Sequence, residues 1–125
     1  MRQSFPPDPA SVPRARRFLT AALRAHGLPA WPAELLLSEL VGNVLRHART
    51  DFHVDIDVSE RVRVEVRDGT AILPALQEAR QDEERGRGLA LVAALSDDWG
   101  VSATSSGKLV WFEVARDHLG AGAPP

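Results

Sequence analysis

Phe52-His53-Val54-Asp55-Ile56-Asp57-Val58-Ser59-Glu60-Arg61-Val62-Arg63-Val64-Glu65-Val66-Arg67-Asp68-Gly69 alternates apolar and polar residues on both sides of Ser59-Glu60. A period of two sends successive side chains to opposite faces of a strand, so Phe52, Val54, Ile56, Val58, Val62, Val64 and Val66 form one apolar face. The break at Ser59-Glu60 predicts an antiparallel hairpin. On its other face acids of the first strand oppose arginines of the second, which helps to set the register. Such a hairpin is wet on one side and needs a covering layer on the other.

Upstream lie two helical patterns that can supply the layer. Ala15, Phe18, Leu19, Ala22, Leu23 and His26 recur at helical spacing, with Ser11 placed to cap the start, Gly27 placed to end the helix, and Arg14, Arg16, Arg17 and Arg24 off the apolar stripe. A second helix is expected from about Trp31-Pro32 to Arg46 or His47, with Leu36, Leu37, Leu40, Val41, Val44 and Ala48 facing the core. Before both, Gln3 to Phe5 suits a short edge strand that Pro6, Pro7 and Pro9 stop.

Downstream of Asp68-Gly69 the regular period is lost through Pro74 and the charged run Glu78 to Arg85, which reads as mobile or only locally helical. Gly86-Arg87-Gly88 is expected to open a short buried helix, Leu89 to Leu95. Two strands follow, at about 99–104 and 109–114, joined by a turn Ser105-Ser106-Gly107-Lys108. Helix, helix, strand, strand, loop, helix, strand, strand is the order of an α+β two-layer sandwich, with helices on one face of a mostly antiparallel mixed sheet. One domain over residues 1–117 and a disordered tail over 118–125 are expected.

Composition bounds the function. With 125 residues and 44% hydrophobic content the chain supports one core. A net charge of −2 gives no basic field for direct nucleic-acid binding. The absence of cysteine excludes disulfides, thiolate metal sites and thiol nucleophiles. No run reaches membrane-spanning length, and no signal core is present, so a cytoplasmic location is expected.

Polar residues inside apolar runs mark the candidate site. In Ser38-Glu39-Leu40-Val41-Gly42-Asn43-Val44-Leu45-Arg46-His47-Ala48 the residues Glu39, Asn43 and His47 are four apart, so on a helix they climb one edge. Glu39 suits a general base, and otherwise a solvated helix charge paired with Arg46 or with water. Asn43 suits Mg²⁺ through its amide oxygen, or a buried amide that satisfies backbone groups. His47 reads as a packed core-edge histidine. Asp68 at a strand end, beside Gly69, can accept a hydrogen bond from an exocyclic amine such as that of adenine, or close a simple turn. Gly86 and Gly88 before a helix invite a phosphate, or form a flexible turn.

In this order the motifs resemble the ATP-binding superfamily shared by gyrase, heat-shock chaperone ATPases, histidine kinases and mismatch-repair ATPases, over nearly the whole chain. Ser38-Glu39-x-x-x-Asn43-x-x-x-His47 resembles its asparagine motif, Asp68-Gly69 its first glycine motif and Gly86-Arg87-Gly88-Leu89 its second. The compact form, ending on Gly107-Lys108-Leu109-Val110-Trp111-Phe112, is most similar to anti-sigma-factor serine kinases.

The resemblance implies that Glu39 activates an attacking hydroxyl, that Asn43 holds Mg²⁺, that Asp68 reads adenine, and that Gly69, Gly86, Arg87, Gly88 and Leu89 line ATP. It departs at Ala71, where relatives carry a second glycine, at Leu109, where many carry a threonine near adenine, and in a short lid from Pro74 to Gly86. The expected function is an ATP- and Mg²⁺-binding regulator with serine/threonine-protein kinase activity toward an antagonist protein. Its expected partners are a sigma factor or the anti-sigma-factor antagonist, and a second copy of the chain. The alternative is a non-catalytic, nucleotide-gated adaptor. A complete sensor kinase, with its dimerisation and phosphoacceptor module, is not expected.

Overall fold

The computed structural model describes residues 1–70 and 83–124, the side chains of 83–87 excepted. Five strands, β1 (Arg2–Phe5), β2 (Phe52–Val58), β3 (Arg61–Asp68), β4 (Asp98–Thr104) and β5 (Gly107–Ala115), form one sheet in the order β1-β2-β3-β5-β4. All four ladders are antiparallel. The hairpin pairs Val54 with Val66 and Ile56 with Val64, which keeps every apolar side chain of both strands on one face.

The charged face is wired differently from the expected acid-to-arginine opposition. Asp57 does face Arg63, but Asp55 faces Glu65. Arg63 and Arg61 instead donate to Glu113 on β5, at 3.0 and 3.2 Å, Arg63 and Arg67 donate to Glu65 of their own strand, and Asp55 accepts from Arg2 on β1. The reason is reach: an arginine spans to a diagonal or next-strand acid as readily as to the residue opposite. Arg63 also lies over the Trp111 ring, 4.0 Å from its centroid.

Among the described residues three α-helices, α1 (Ser11–Arg24), α2 (Ala33–Asn43) and α3 (Glu83–Leu95), bury the apolar face, giving the expected α+β sandwich. Leu19, Leu23, Leu36, Leu37 and Val41 meet Val54, Val62, Val64 and Phe112, all fully buried. Each such side chain contributes about 1.5–3 kcal/mol of transfer free energy. Phe5 stacks on Phe52 and meets Phe18 edge-on, so the short β1 is anchored by an aromatic cluster.

Helix ends correct two details. Ser11 does not cap α1; it is the first helical residue, buried, and its hydroxyl donates to the Pro6 carbonyl at 2.7 Å, while Asp8 accepts from the Ala10 N–H. Gly27 does end the helix: its φ of +69° is left-handed, and the bonds Leu28 N–H to Leu23 C=O and Gly27 N–H to Arg24 C=O form a Schellman motif. Beyond residue 117, Leu119 is buried in the core and the Gly120 N–H donates to the Trp31 carbonyl. Among the described residues no helix is long and apolar enough to cross a membrane.

Candidate functional site

Among the described residues four buried side chains are polar or charged: Ser11, Asn43, Asp68 and Lys108. Ser11 is accounted for by its bond to Pro6. The other three sit at element ends, and two of them are residues that the sequence motifs single out.

Asn43 closes α2, and there the winding changes. Residues Val44–Ala48 form one π turn, shown by the bond from Arg49 N–H to Val44 C=O, and Arg49 ends it with a φ of +53°. The stripe Glu39, Asn43, His47 is therefore regular only as far as Asn43, because four residues no longer complete a turn once bonds skip to i+5. His47 is half-buried. Arg46 folds back so that its Nη2 donates to Asn43 Oδ1 at 2.6 Å, with Nη1 over Gly42. Arg46 thus turns to the amide rather than to Glu39.

Asp68 ends β3 as a fixed acceptor. Its Oδ1 accepts from the Thr70 N–H at 2.9 Å, and its Oδ2 lies 2.7 Å from Lys108 Nζ, with the two side chains only 1% and 3% exposed. The neighbouring Gly69 N–H donates to Thr50 Oγ1 at 2.9 Å. Against this corner stands Gly107: a Cβ there would lie 1.9 Å from the Asp68 carbonyl oxygen, so only glycine lets the start of β5 come so close.

Lys108 falls in the expected turn Ser105-Ser106-Gly107-Lys108, yet it is a buried strand residue. β5 begins two residues earlier than expected, and Lys108, Val110, Phe112 and Val114 share its inward face. Leu109, the position expected beside adenine, instead pairs with Arg67 and Ser102 and belongs to the wet face. The inward place is held by lysine.

The glycine pair is also placed differently. Gly86-Arg87-Gly88 lies within α3, which starts at Glu83, so these residues do not form the exposed start of a helix. Gly88 is buried, and a Cβ on it would lie 3.0 Å from Glu39 Oε2. The asparagine motif and the second glycine motif therefore meet side by side where α3 packs on α2. Leu89 follows into the core at 8% exposure. Ala71 and the lid up to residue 82 lie outside the described residues, as does the side chain of Arg87.

The profile of the histidine kinase-like ATPase domain matches residues 5–114. The chain belongs to that family. The match spans the sheet from Phe5 to Val114, with α1, α2 and α3. No curated protein matches the chain. As a histidine kinase-like ATPase domain it is of an ATP-binding class, and its residues can be tested against that ligand.

The polar groups fit a nucleotide. Asp68 has two hydrogen bonds on a carboxylate with about four acceptor positions, so acceptor positions remain unused, and its side chain is only 1% exposed. Gly88 leaves the Glu39 carboxylate uncovered on one side, where any larger residue would press on it. Asn43 fits Mg²⁺ only as part of a nucleotide complex: one lone pair of Oδ1 is taken by Arg46, and a bare dication beside a guanidinium is repelled until phosphate charge offsets both. Among the described residues no group of three or more His, Cys, Asp or Glu could hold a metal by itself.

Away from these residues, Arg16, Arg17 and Arg24 of α1 line an open groove with Glu34, and Arg16 pairs with Glu34 at 3.6 Å.

Proposed function

We propose that the chain is an ATP- and Mg²⁺-dependent regulatory protein that resembles anti-sigma-factor serine kinases, and that it phosphorylates a serine or threonine of an antagonist protein. The observation that carries this is the contact between Gly88 and Glu39, because it sets a carboxylate beside the second glycine motif. On this reading Asp68 takes the base, Asn43 holds the Mg²⁺ that accompanies the phosphates, and Gly86, Arg87, Gly88 and Leu89 line the nucleotide. Mg²⁺, when bound with ATP, supplies charge neutralisation at the phosphates. Glu39, half-buried, accepts the proton of the incoming hydroxyl.

The proposed partners are a sigma factor and its anti-sigma-factor antagonist, with a second copy of the chain as a further partner through the sheet edges β1 or β4. A non-catalytic, nucleotide-gated adaptor is the second reading, and one observation favours it. Asn43 and Asp68 already accept from cationic side chains of the chain itself, Arg46 and Lys108.

Incubation with γ-labelled ATP and a candidate antagonist separates the two. A kinase leaves label on a partner serine or threonine, and Glu39→Ala abolishes it; an adaptor binds nucleotide and partner with no label transferred.

A further inference from the structure

We propose that the chain forms a two-fold dimer by pairing β4 with β4 of a second copy, and that the exposed apolar turns of α3 join the same interface. The proposal rests on the second-copy reading above and adds to it the edge, the helix face and the register. Nucleotide binding and phosphoryl transfer do not enter it.

The sheet has two open edges, and they are protected unequally. β1 is four residues long, carries Arg2 paired with Asp55 at 2.8 Å, and runs into Pro6 and Pro7. Short length, charge and proline are devices that keep a strand edge from pairing. β4 is seven residues long, and after Asp98 it reads Trp99-Gly100-Val101-Ser102-Ala103-Thr104, with no charge and no proline. In an antiparallel ladder alternate residues turn their N–H and C=O to the neighbouring strand, and the others turn theirs away. The Trp99 N–H donates to the Asp98 carboxylate at 3.0 Å, so Trp99, and with it Val101 and Ala103, turns its backbone groups to the open edge. The pair Thr104–Gly107, which closes the two-residue turn Ser105-Ser106, gives the same alternation.

The helix beside this edge is a second observation. Leu89 to Leu95 is apolar at every residue and was expected to be buried. Leu89 and Val92 are buried, but Ala90, Ala93, Ala94 and Leu95 are exposed and Leu91 is half-buried. A helix on the surface of a single domain ordinarily turns charged and polar residues outward. The helices follow the strands in order, α1 on β1 and β2, α2 on β3 and α3 on β4, so the apolar turns lie at the β4 side of the molecule.

A second copy suits this surface. A two-fold axis through Val101, the middle of β4, sets Val101 against Val101 of the second copy, Trp99 against its Ala103 and Asp98 against its Thr104, so the strand overlaps over its full length. The two Asp98 carboxylates stand at opposite ends of the seam, and no like charges meet. The axis is normal to the sheet, which places both helix layers on one side with the two α3 helices nearest the seam. A strand seam alone is narrow, whereas stable interfaces bury about 1,200 Å² or more, and the apolar turns of α3 supply further area.

The test is sedimentation equilibrium of the purified chain at about 0.1 mM, for wild type, Ala103→Pro and Ala94→Glu. Wild type is expected to show twice the mass of the chain. Ala103→Pro removes an N–H from the open edge and Ala94→Glu puts a charge on the α3 face, and each is expected to weaken association by about tenfold or more. Ala94 is exposed and glutamate is a good helix former, so this variant reports even where Ala103→Pro does not fold. A monomeric wild type overturns the proposal and the second-copy reading with it. A dimer of wild-type strength in folded Ala94→Glu overturns this interface while the second-copy reading stands.

Discussion

Gly88 on α3 stands against Glu39 on α2, with only 3.0 Å between the carboxylate Oε2 and the place a Cβ would occupy. The two effects of Gly88→Ala therefore have opposite signs. In a helix interior alanine is favoured over glycine by about 1 kcal/mol, and the crowded atom is the free end of a flexible side chain. The fold is expected to be unchanged or slightly more stable, by urea denaturation. Phosphoryl transfer is expected to fall about tenfold or more as Glu39 is pushed aside. Unchanged transfer in Gly88→Ala would separate Glu39 from the chemistry.

Gly107→Ala differs, because the clash is with backbone. A Cβ 1.9 Å from the Asp68 carbonyl oxygen cannot be relieved by a side-chain rotation, so β5 must separate from β3 at its first residues. A loss of about 3 kcal/mol in denaturant stability is expected. A variant as stable as wild type would show that the corner yields.

Asp97 gives the fold a pH signature. The Ala115 N–H donates to its Oδ2 at 2.6 Å, and this backbone hydrogen bond is the main reason the carboxyl is held below its ordinary 3.8; burial opposes it, and His118 and Arg61 assist. A carboxyl with a folded value below its unfolded one stabilises the native state above the unfolded value, and the contribution is lost as pH falls through the folded value. Asp97→Ala is expected to cost less than about 1 kcal/mol at neutral pH, because water screens this exposed carboxylate, with the gap to wild type closing as the pH falls below 3.8. A gap that stays constant into acid would assign the loss to packing.

Metal dependence follows from Arg46. With its Nη2 on Asn43 Oδ1 at 2.6 Å, Mg²⁺ alone is expected to give no calorimetric binding and no rise in melting temperature. Chelation by EDTA is expected to weaken nucleotide binding by about tenfold or more. A rise in melting temperature with Mg²⁺ alone would show a resident metal site.

The architecture was legible where one period dominates. Phe52 to Val58 and Val62 to Val66 alternate so regularly that a one-residue slip in register exposes the valines, and Gly27 marks a helix end by its left-handed backbone. Less was legible where tertiary contacts overrule local preference. Gly86 and Gly88 look like helix breakers, yet α3 runs through them, and Gly88 is small because Glu39 is its neighbour. Lys108 sits among turn-forming residues, and its role shows only when it is counted inward in step with Val110, Phe112 and Val114. The π turn after Asn43 has no signal in composition, so the position of His47 could not be read from a four-residue stripe.

The central claim is that Asn43 and Asp68 serve one nucleotide. Its most direct test is equilibrium titration with a fluorescent ATP analogue in Mg²⁺, comparing wild type with Asn43→Ala and Asp68→Asn, with the melting temperature of each recorded. The account predicts saturable binding by wild type and weakening of about tenfold or more in each folded variant. No saturable binding by wild type at millimolar nucleotide, or full affinity in both variants, would contradict it.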